Sequence, residues 1–346
     1  MIRFAKVDAI MTYPKIEGDS LLARFLTPEV YDALKDRETY FGVRLEHLIA
    51  SGLKNPDSAI GVYAGDEESY EVFSPLFDPI IAAYHGFGPE DRHTSDLDPA
   101  HLEIENPDPE GRFVLSTRIR VARNLCCFPF GPVIDRRERR MAERAIVQAL
   151  SSLPGELAGE YQPLSAMDKA TQKRLIEAHL LFKAGDRFLE AGGFNRDWPD
   201  ARGAFMNKAR TFLVWVNEED QLRIISMEKG ANLKSVFSRL AKALGHLEAR
   251  LTFAYSKRLG YLTSCPTNLG TAMRASVHIR LAHLAEDVVK AIAEAHGLQV
   301  RGTHGEHTEA EGGVYDVSNR RRLGITEVEA VAQLARGVQA LIQAAG

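Results

Sequence analysis

Over residues 86–111 the chain loses hydrophobic periodicity. Gly86, Gly88, Pro89, Pro99, Pro107 and Pro109 are scattered among acidic residues. Proline removes a backbone donor and glycine removes a side chain, so such a stretch continues neither helix nor strand and reads as a connector. Its two flanks follow different rules. Upstream, apolar residues recur at helical spacing. Thr27-Pro28-Glu29 reads as a helix start, with Thr27 as N-cap and Pro28 in the first turn, followed by Val30, Tyr31 and Leu34. Leu45, Leu48 and Ile49 form a second stripe that stops near Gly52, and Leu76, Phe77, Ile80, Ile81 and Tyr84 form a third. Downstream, strand and helix patterns mix. The sequence therefore predicts an α+β chain, with a small all-helical domain over 1–90, a linker over 91–112 and a larger α+β domain over 113–346.

The strands of the larger part carry an unusual face. Phe113, Leu115, Ile119 and Val121 alternate with Val114, Ser116, Arg118 and Arg120, giving one apolar face and two arginines together on the other. Arg274, Ser276, His278 and Arg280 alternate with Ala275, Val277 and Ile279 in the same way. Residues 211–216 and 222–227, joined by Asn217-Glu218-Glu219-Asp220, read as a hairpin. Helix stripes run through Ala142, Ala145, Ile146, Ala149 and Leu150, and through Leu233 to Leu251 after the N-cap Asn232. A capping box of Thr326 and Glu329 opens a last helix.

Lys and Arg total 43 against 47 Asp and Glu, a net charge of −4, which argues against a nucleic-acid partner. The basic run Arg136-Arg137-Glu138-Arg139-Arg140 reads most plainly as a solvated helix face; Arg320-Arg321-Arg322 is the other dense run. Three cysteines, Cys126, Cys127 and Cys265, build no disulfide framework in a chain of 346 residues and fit a reducing compartment. No stretch approaches the roughly 20 apolar residues of a membrane span. The first twenty residues carry Asp8, Lys15, Glu17 and Asp19 and lack the apolar core of a secretory signal. A cytoplasmic protein with no membrane partner is expected, as a monomer or homodimer.

No P-loop and no strand–G-x-G-x-x-G–helix unit occurs. Arginines at strand positions are the alternative device for phosphate, because a guanidinium is always charged and binds phosphate oxygens bidentately. Arg118 with Arg120, and Arg274 with His278, project in pairs from one strand face; the blander reading is that each pairs with a surface acid. Residues 301–313 hold four glycines and little apolar anchorage, the composition of a closing lid, with Glu306 in its middle. His304, His307 and nearby acids fail the spacing of a zinc helix. Cys265 sits in a polar turn just before the Arg274 strand, where a thiolate would be favoured, against the alternative of inert packing.

Taken together these motifs resemble the phosphagen (guanidino) kinases. Ser116-Thr117-Arg118-Ile119-Arg120, Asn217-Glu218-Glu219-Asp220, Cys265-Pro266-Thr267-Asn268-Leu269-Gly270-Thr271, Arg274-Ala275-Ser276-Val277-His278 and Arg301-Gly302-Thr303 carry the likeness. Glu306-His307-Thr308-Glu309 and Gly312-Gly313-Val314-Tyr315-Asp316 are similar to the arginine kinase branch in particular. The likeness covers nearly the whole chain.

The resemblance implies a helical N-terminal domain and a larger domain built on an antiparallel sheet flanked by helices. It implies reversible transfer of the γ-phosphoryl group of MgATP to free L-arginine, with Mg²⁺ carried by the nucleotide and not by protein side chains. By matching motif, Arg118, Arg120, Arg223, Arg274 and Arg301 hold the phosphates and Ser116, His179 and His278 line the nucleotide site. Thr117, Ile119, Ala275, Ser276, Val277, Gly302, Thr303, His304, Gly305 and Glu306 belong to the same nucleotide-binding segments. Glu219 and Glu306 grip the guanidinium, with Cys265 beside it. Ser58, Ala59, Ile60, Gly61, Val62 and Tyr63 receive the carboxylate end, mostly through backbone N–H groups. Two positions depart from the pattern: His304 replaces a frequent Arg, and Ala59 replaces a frequent Gly. Glu306 argues against a creatine kinase. A kinase of protein-bound arginine or of another small guanidine, and a catalytically silent nucleotide-binding scaffold, are the alternatives; the intact Glu219, Cys265, Glu306 and five arginines weigh against the last.

Overall fold

The computed structural model describes residues 12–302 and 311–346. The N-terminal part is helical, with α1 (Leu21–Phe25), α2 (Pro28–Leu34), α3 (Leu45–Lys54), α4 (Ser69–Val72) and α5 (Ser74–His85). Thr27 Oγ1 accepts from Val30 N at 3.3 Å with Pro28 at the first position of α2, as the sequence predicts. The stripes of α3 and α5 meet around Leu22, Leu48, Ile49, Phe77 and Ile80, all fully buried. The same core continues into Phe130, Val133, Leu262, Leu269 and Leu323, so the helices are anchored directly on the downstream part.

Gly52 does not stop α3, which runs on to Lys54. The glycine serves packing: a Cβ there would lie 2.3 Å from the carbonyl oxygen of Gly61 and 2.6 Å from Leu22 Cδ2. Gly61 itself has φ +83°, a conformation that only glycine adopts cheaply. The two glycines press the loop after α3 against α1 and α3.

The larger part is an eight-stranded antiparallel sheet with a small separate ribbon. Its strands are β1 (Val114–Arg123), β2 (Gly159–Pro163), β3 (Gly203–Asn207), β4 (Phe212–Val216), β5 (Leu222–Lys229), the ribbon pair β6 (Tyr255–Ser256) and β7 (Gly260–Tyr261), then β8 (Met273–Arg280), β9 (Leu298–Arg301) and β10 (Val314–Asn319). The sheet order is β2-β3-β4-β5-β1-β8-β10-β9. The helices are α6 (Arg136–Leu150), α7 (Lys169–Glu177), α8 (Arg187–Ala191), α9 (Leu233–Glu248), α10 (Glu286–Ala295) and α11 (Glu327–Ala345). α6, α9, α10 and α11 cover one sheet face, burying Ile119, Val121, Ile224, Val277 and Val317 against Ile146, Leu240, Leu244, Leu334 and Val338. On the opposite face Leu175, Leu181 and Phe182 cover only the Leu213, Trp215 and Ile225 end. The rest of that face is left for arginines. Among the described residues no helix is long and apolar enough to cross a membrane.

Two sequence expectations need correction. The pairing of β1 with β8 slips between Val114 and Ser116, a bulge that turns Val114 into the core and Leu115, 39% exposed, out of it. The run 136–140 is not wholly solvated. Arg139 is 2% exposed, because it shares a helix face with Ala142 and Ile146. It is held by Asp197 Oδ2 at 3.1 Å and the carbonyl of Ile134 at 3.0 Å.

The glycine contact makes a measurable expectation. Gly52→Ala must push backbone against backbone, so it should lower the apparent unfolding free energy by about 1–3 kcal/mol. Gly245→Ala, at a helical glycine with open space around it, should be neutral or stabilising by up to about 1 kcal/mol. Urea denaturation of both variants checks this, and equal stability for Gly52→Ala and the parent would refute the packing role.

Candidate active site

Strand register decides which side chains meet. Arg120 stands opposite Arg274, Arg118 opposite Ser276 and Ser116 opposite His278 across β1 and β8. His278 faces Asp316 on β10, and Asp316 faces Arg301 on β9. On the other side of β1, Arg223 of β5 lies opposite Ala122 and opposite Trp215 of β4. Directly opposed residues share a face, so β1, β5, β8 and β9 deliver one cationic surface, with Asp316 of β10 set within it.

These cations are only partly neutralised. Arg223 pairs with Glu218 at 3.0 Å and Glu219 at 2.9 Å, and Arg274 pairs with Asp316 at 2.8 Å. The guanidiniums of Arg118 and Arg223 each lie 5.5 Å from the Trp215 ring centroid. Arg118 Nε and Nη2 and Arg274 Nε are buried and meet no hydrogen-bond acceptor among the described residues. Burial, with Arg223 and Arg274 nearby, pulls Arg118 down to about 10 and Arg120 well below its ordinary value. Buried donors without acceptors are costly to hold. A surface of this kind is preorganised for an anion with several oxygens.

The cationic face opens into a cleft of about 440 Å³, lined among others by Arg120, Arg223, Arg274, Glu219 and Cys265 and by the loop 57–63. The loop's carbonyls are spent inward: Leu21 N donates to Ala59 O at 3.0 Å and Leu22 N to Ile60 O at 2.9 Å. Ser58 Oγ takes the amide of Gly61 at 3.0 Å. No described group accepts from the amides of Ala59, Ile60 and Val62, which leaves donors for a carboxylate. Ala59 is not among the described residues with positive φ, so alanine is unstrained where glycine is frequent in the resembled family. Asp57 and Arg187 of α8 form an ion pair that ties the loop's edge to the larger part, with one contact at 2.9 Å.

Glu219 is half-buried at the cleft wall, with 16% of its side chain exposed. Burial, opposed by Arg223 but assisted by Asp220 and Glu218, raises its carboxyl to about 7. A carboxylate poised there can take a proton at neutral pH. Cys265 differs from the sequence expectation of a thiolate. Burial and the facing Glu219 push its thiol up to about 12, and its sulfur lies 3.1 Å from Thr267 Oγ1. The arginines nearby are already engaged, Arg223 with its two glutamates and Arg322 with Thr267 O and Asn268 Oδ1 at 2.9 and 2.7 Å.

The remaining expected residues fall into three groups. Ser116, Arg118, Ser276 and His278 lie on the arginine face beyond the cleft proper, and Arg301 lines the cleft itself, with Gly302 following at its strand end. Thr117, Ile119, Ala275 and Val277 point to the opposite, helix-covered face, where Thr117 Oγ1 donates to Gly230 O and the others are core. They space the cationic side chains and do not reach the cleft. His179 is exposed just after α7, next to Leu180, whose carbonyl accepts from Trp215 Nε1 at 2.9 Å. Thr303, His304, Gly305 and Glu306 lie outside the described residues. Arg322, 9% exposed, lines the cleft and was not singled out from the sequence. The run Arg320-Arg321-Arg322 was its only signal, and only the packing after β10 separates the buried arginine from its solvated neighbours.

Comparison with known proteins finds relatives over most of the chain. The N-terminal domain model of the ATP:guanido phosphotransferases matches residues 17–82, and their C-terminal catalytic domain model matches 141–345. The arginine kinase of Limulus polyphemus is 51% identical over 327 residues, covering 94% of this chain and 92% of that protein. The arginine kinase of Anthopleura japonica is 50% identical over 336 residues, covering 95% of this chain and 47% of that protein. The crystal structure of lombricine kinase superposes with a TM-score of 0.91 at 40% identity, covering 99% of this chain and 96% of that one. The duplicated taurocyamine kinase of Schistosoma mansoni, with bound transition-state-analogue components, gives 0.89 at 41% identity, covering 94% and 46%. This chain therefore spans about half the length of the Anthopleura and Schistosoma proteins.

Arg118→Met should separate binding from stability. Removing a buried, partly unpaired charge in favour of an apolar side chain of similar length should leave stability unchanged or raise it by about 1–2 kcal/mol. Binding of inorganic tripolyphosphate should weaken at least about tenfold, roughly one lost charge-assisted contact. Calorimetric titration and thermal unfolding decide; a destabilised variant with intact binding would contradict the reading of this face.

Proposed function

The chain belongs to the ATP:guanido phosphotransferase family, and from that premise we propose that it transfers the γ-phosphoryl group of ATP reversibly to free L-arginine. The observation that carries the reading is one cleft with two opposite unmet demands. Its sheet floor holds Arg274, whose buried Nε has no acceptor among the described residues, and its wall holds Cys265 beside Glu219, whose single ion pair with Arg223 leaves the carboxyl raised to about 7.

The proposed chemistry follows from the placement. The phosphates lie on Arg118, Arg120, Arg223, Arg274 and Arg301, and Arg322 adds a sixth charge at the cleft wall. Phosphoryl transfer needs alignment and charge neutralisation more than covalent help. Magnesium carried on the phosphate oxygens supplies further positive charge; the site fits it as the polyphosphate's companion, since arginines and not clustered carboxylates face the phosphates. The acceptor guanidinium seats against Glu219 and Cys265, with Glu306 as the second carboxylate expected from its motif. One guanidinium nitrogen gives its proton to Glu219 as its N–P bond forms and the bond from the γ-phosphorus to the ADP oxygen breaks. The incoming cation also favours ionisation of the Cys265 thiol, which then orients the guanidinium by charge.

Specificity for arginine rests on the far end of the cleft. Arginine carries an α-carboxylate, and the free amides of Ala59, Ile60 and Val62 suit it. The names of the lombricine and taurocyamine kinases point to other guanidino acceptors on the same fold, so the loop and not the fold must choose. A compartment holding ATP and free arginine, the cytoplasm, suits the reaction.

Two outcomes test this. Because Glu219 must be ionised to accept the proton, kcat/KM for phosphorylation should fall about tenfold per pH unit below about 7. Glu219→Gln should abolish that limb and lower kcat by roughly 10²-fold or more. A pH-rate profile with the limb intact in the variant would remove Glu219 as base. Next, kcat/KM should favour free arginine over arginine amide, creatine, taurocyamine, lombricine and an unfolded arginine-rich protein, by roughly 10²-fold or more where the carboxylate is lost. Equal rates for arginine and arginine amide would sink the loop's role and bring the protein-arginine reading forward.

A further inference from the structure

The adjacent cysteines have no part in the cleft, and the structure gives them company. They form the turn that follows β1, and Cys127 adopts a left-handed φ of +64°, which few residues other than glycine take readily. That turn brings the two sulfurs to 3.2 Å of each other. Cys126 Sγ also lies 3.7 Å from Glu67 Oε1, contributed by the helical N-terminal part. The two sulfurs and a Glu67 oxygen all lie within 4.8 Å of one another, with Cys127 exposed and the other two half-buried.

We infer that Cys126, Cys127 and Glu67 form an accessory site for a thiophilic divalent cation of the zinc class, joining the helical part to the turn after β1. The donor set is right for such an ion: two thiolates and a carboxylate, with water in the fourth tetrahedral position. Zinc–sulfur bonds of about 2.3 Å require sulfurs roughly 3.8 Å apart, a separation the exposed Cys127 side chain reaches by a small rotation. The surroundings support it. Glu67 also borders an acidic groove with Glu68, Glu71 and Asp78, and the positive lining residue there, Arg258, is already paired with Asp78 at 2.6 Å. A negative lip concentrates cations.

The site is independent of the phosphoryl-transfer chemistry. Cys126 N donates to Thr252 O and Phe130 N donates to Gly65 O, so the turn already spans the boundary between the two parts. A bound cation would add a coordinate link across it and raise the protein's resistance to unfolding.

The test uses the reduced full-length chain, titrated with Zn²⁺ in competition with a chromophoric chelator, and with Cd²⁺ to read the thiolate charge-transfer band. One equivalent should bind to the parent and to Cys265→Ser alike, with a rise in melting temperature. Cys126→Ser and Cys127→Ser should each weaken binding at least about tenfold and erase the charge-transfer band, and Glu67→Gln should weaken it while keeping the band. Glu67→Asp should recover part of the affinity. Absence of a stoichiometric site in the parent, binding that survives both cysteine variants, or binding that disappears in Cys265→Ser would overturn the inference. So would a mass loss of two hydrogens at the pair under reducing conditions, which would mean that it closes as a disulfide in preference to holding metal.

Discussion

The arrangement on which everything else depends is the gathering of like-charged guanidiniums on one face of a β-sheet. Arg223 and Arg274 sit close enough to Arg118 and Arg120 to lower the proton affinity of those two, and burial removes the water that would screen them. Such a face persists only because the opposite side of the same strands is a large apolar core. Ile119 and Val121 lie between and beside the arginines of β1 and are fully buried under the helices. The alternation that makes the strand stable is therefore also what places the charges. Partial relief comes from Trp215, which two guanidiniums share, and from Glu218, Glu219 and Asp316. The relief is incomplete, and the incompleteness is what a polyphosphate would use.

The helical part matters to the site through one loop. Its position is set chiefly by backbone contacts, the packing of Gly52 on Gly61 and the donation of Leu21 N and Leu22 N to carbonyls of the loop, with the Asp57–Arg187 ion pair at its edge. Turning the Ala59 carbonyl inward turns the amide of Ile60 the opposite way, and the amides of Ala59 and Val62 also have no acceptor among the described residues. A side-chain receptor for a carboxylate would need a buried cation; a backbone receptor needs only a loop that cannot relax, which close glycine packing provides.

Much of this was legible in the sequence because it rests on local periodicity. The two strands with arginines on one face, the hairpin around Glu219, the caps Thr27, Asn232 and Thr326, and the helical character of the first 85 residues are all local signals. What the sequence hid was non-local. A bulge at Val114 and Ser116 is one residue of slippage that composition does not record. Arg139 and Arg322 belong to basic runs whose members look alike until packing buries one of each. The state of Cys265 depended on which neighbours were free. The arginines near it in sequence are committed elsewhere, and the carboxylate that faces it comes from 46 positions upstream.

That last reversal says how the cleft works as a unit. Alone, Glu219 and Cys265 are pushed toward their neutral forms by burial, the thiol also by Glu219, with Glu219 at about 7 and the thiol at about 12. Alone, the arginine face keeps its charge at a cost, since burial and neighbouring guanidiniums lower Arg118 to about 10 and Arg120 well below its ordinary value. Each half is therefore strained in the sense opposite to the other. A cationic guanidinium entering beside the acids lowers their proton affinity, and an anionic polyphosphate entering over the arginines restores theirs. The two ligands then face each other across a cleft in which each half meets its counter-charge only when both are present. Electrostatic preorganisation of this kind stabilises a transferring phosphoryl group more than either ground state, because the charge that moves in the reaction is the charge the two halves were short of.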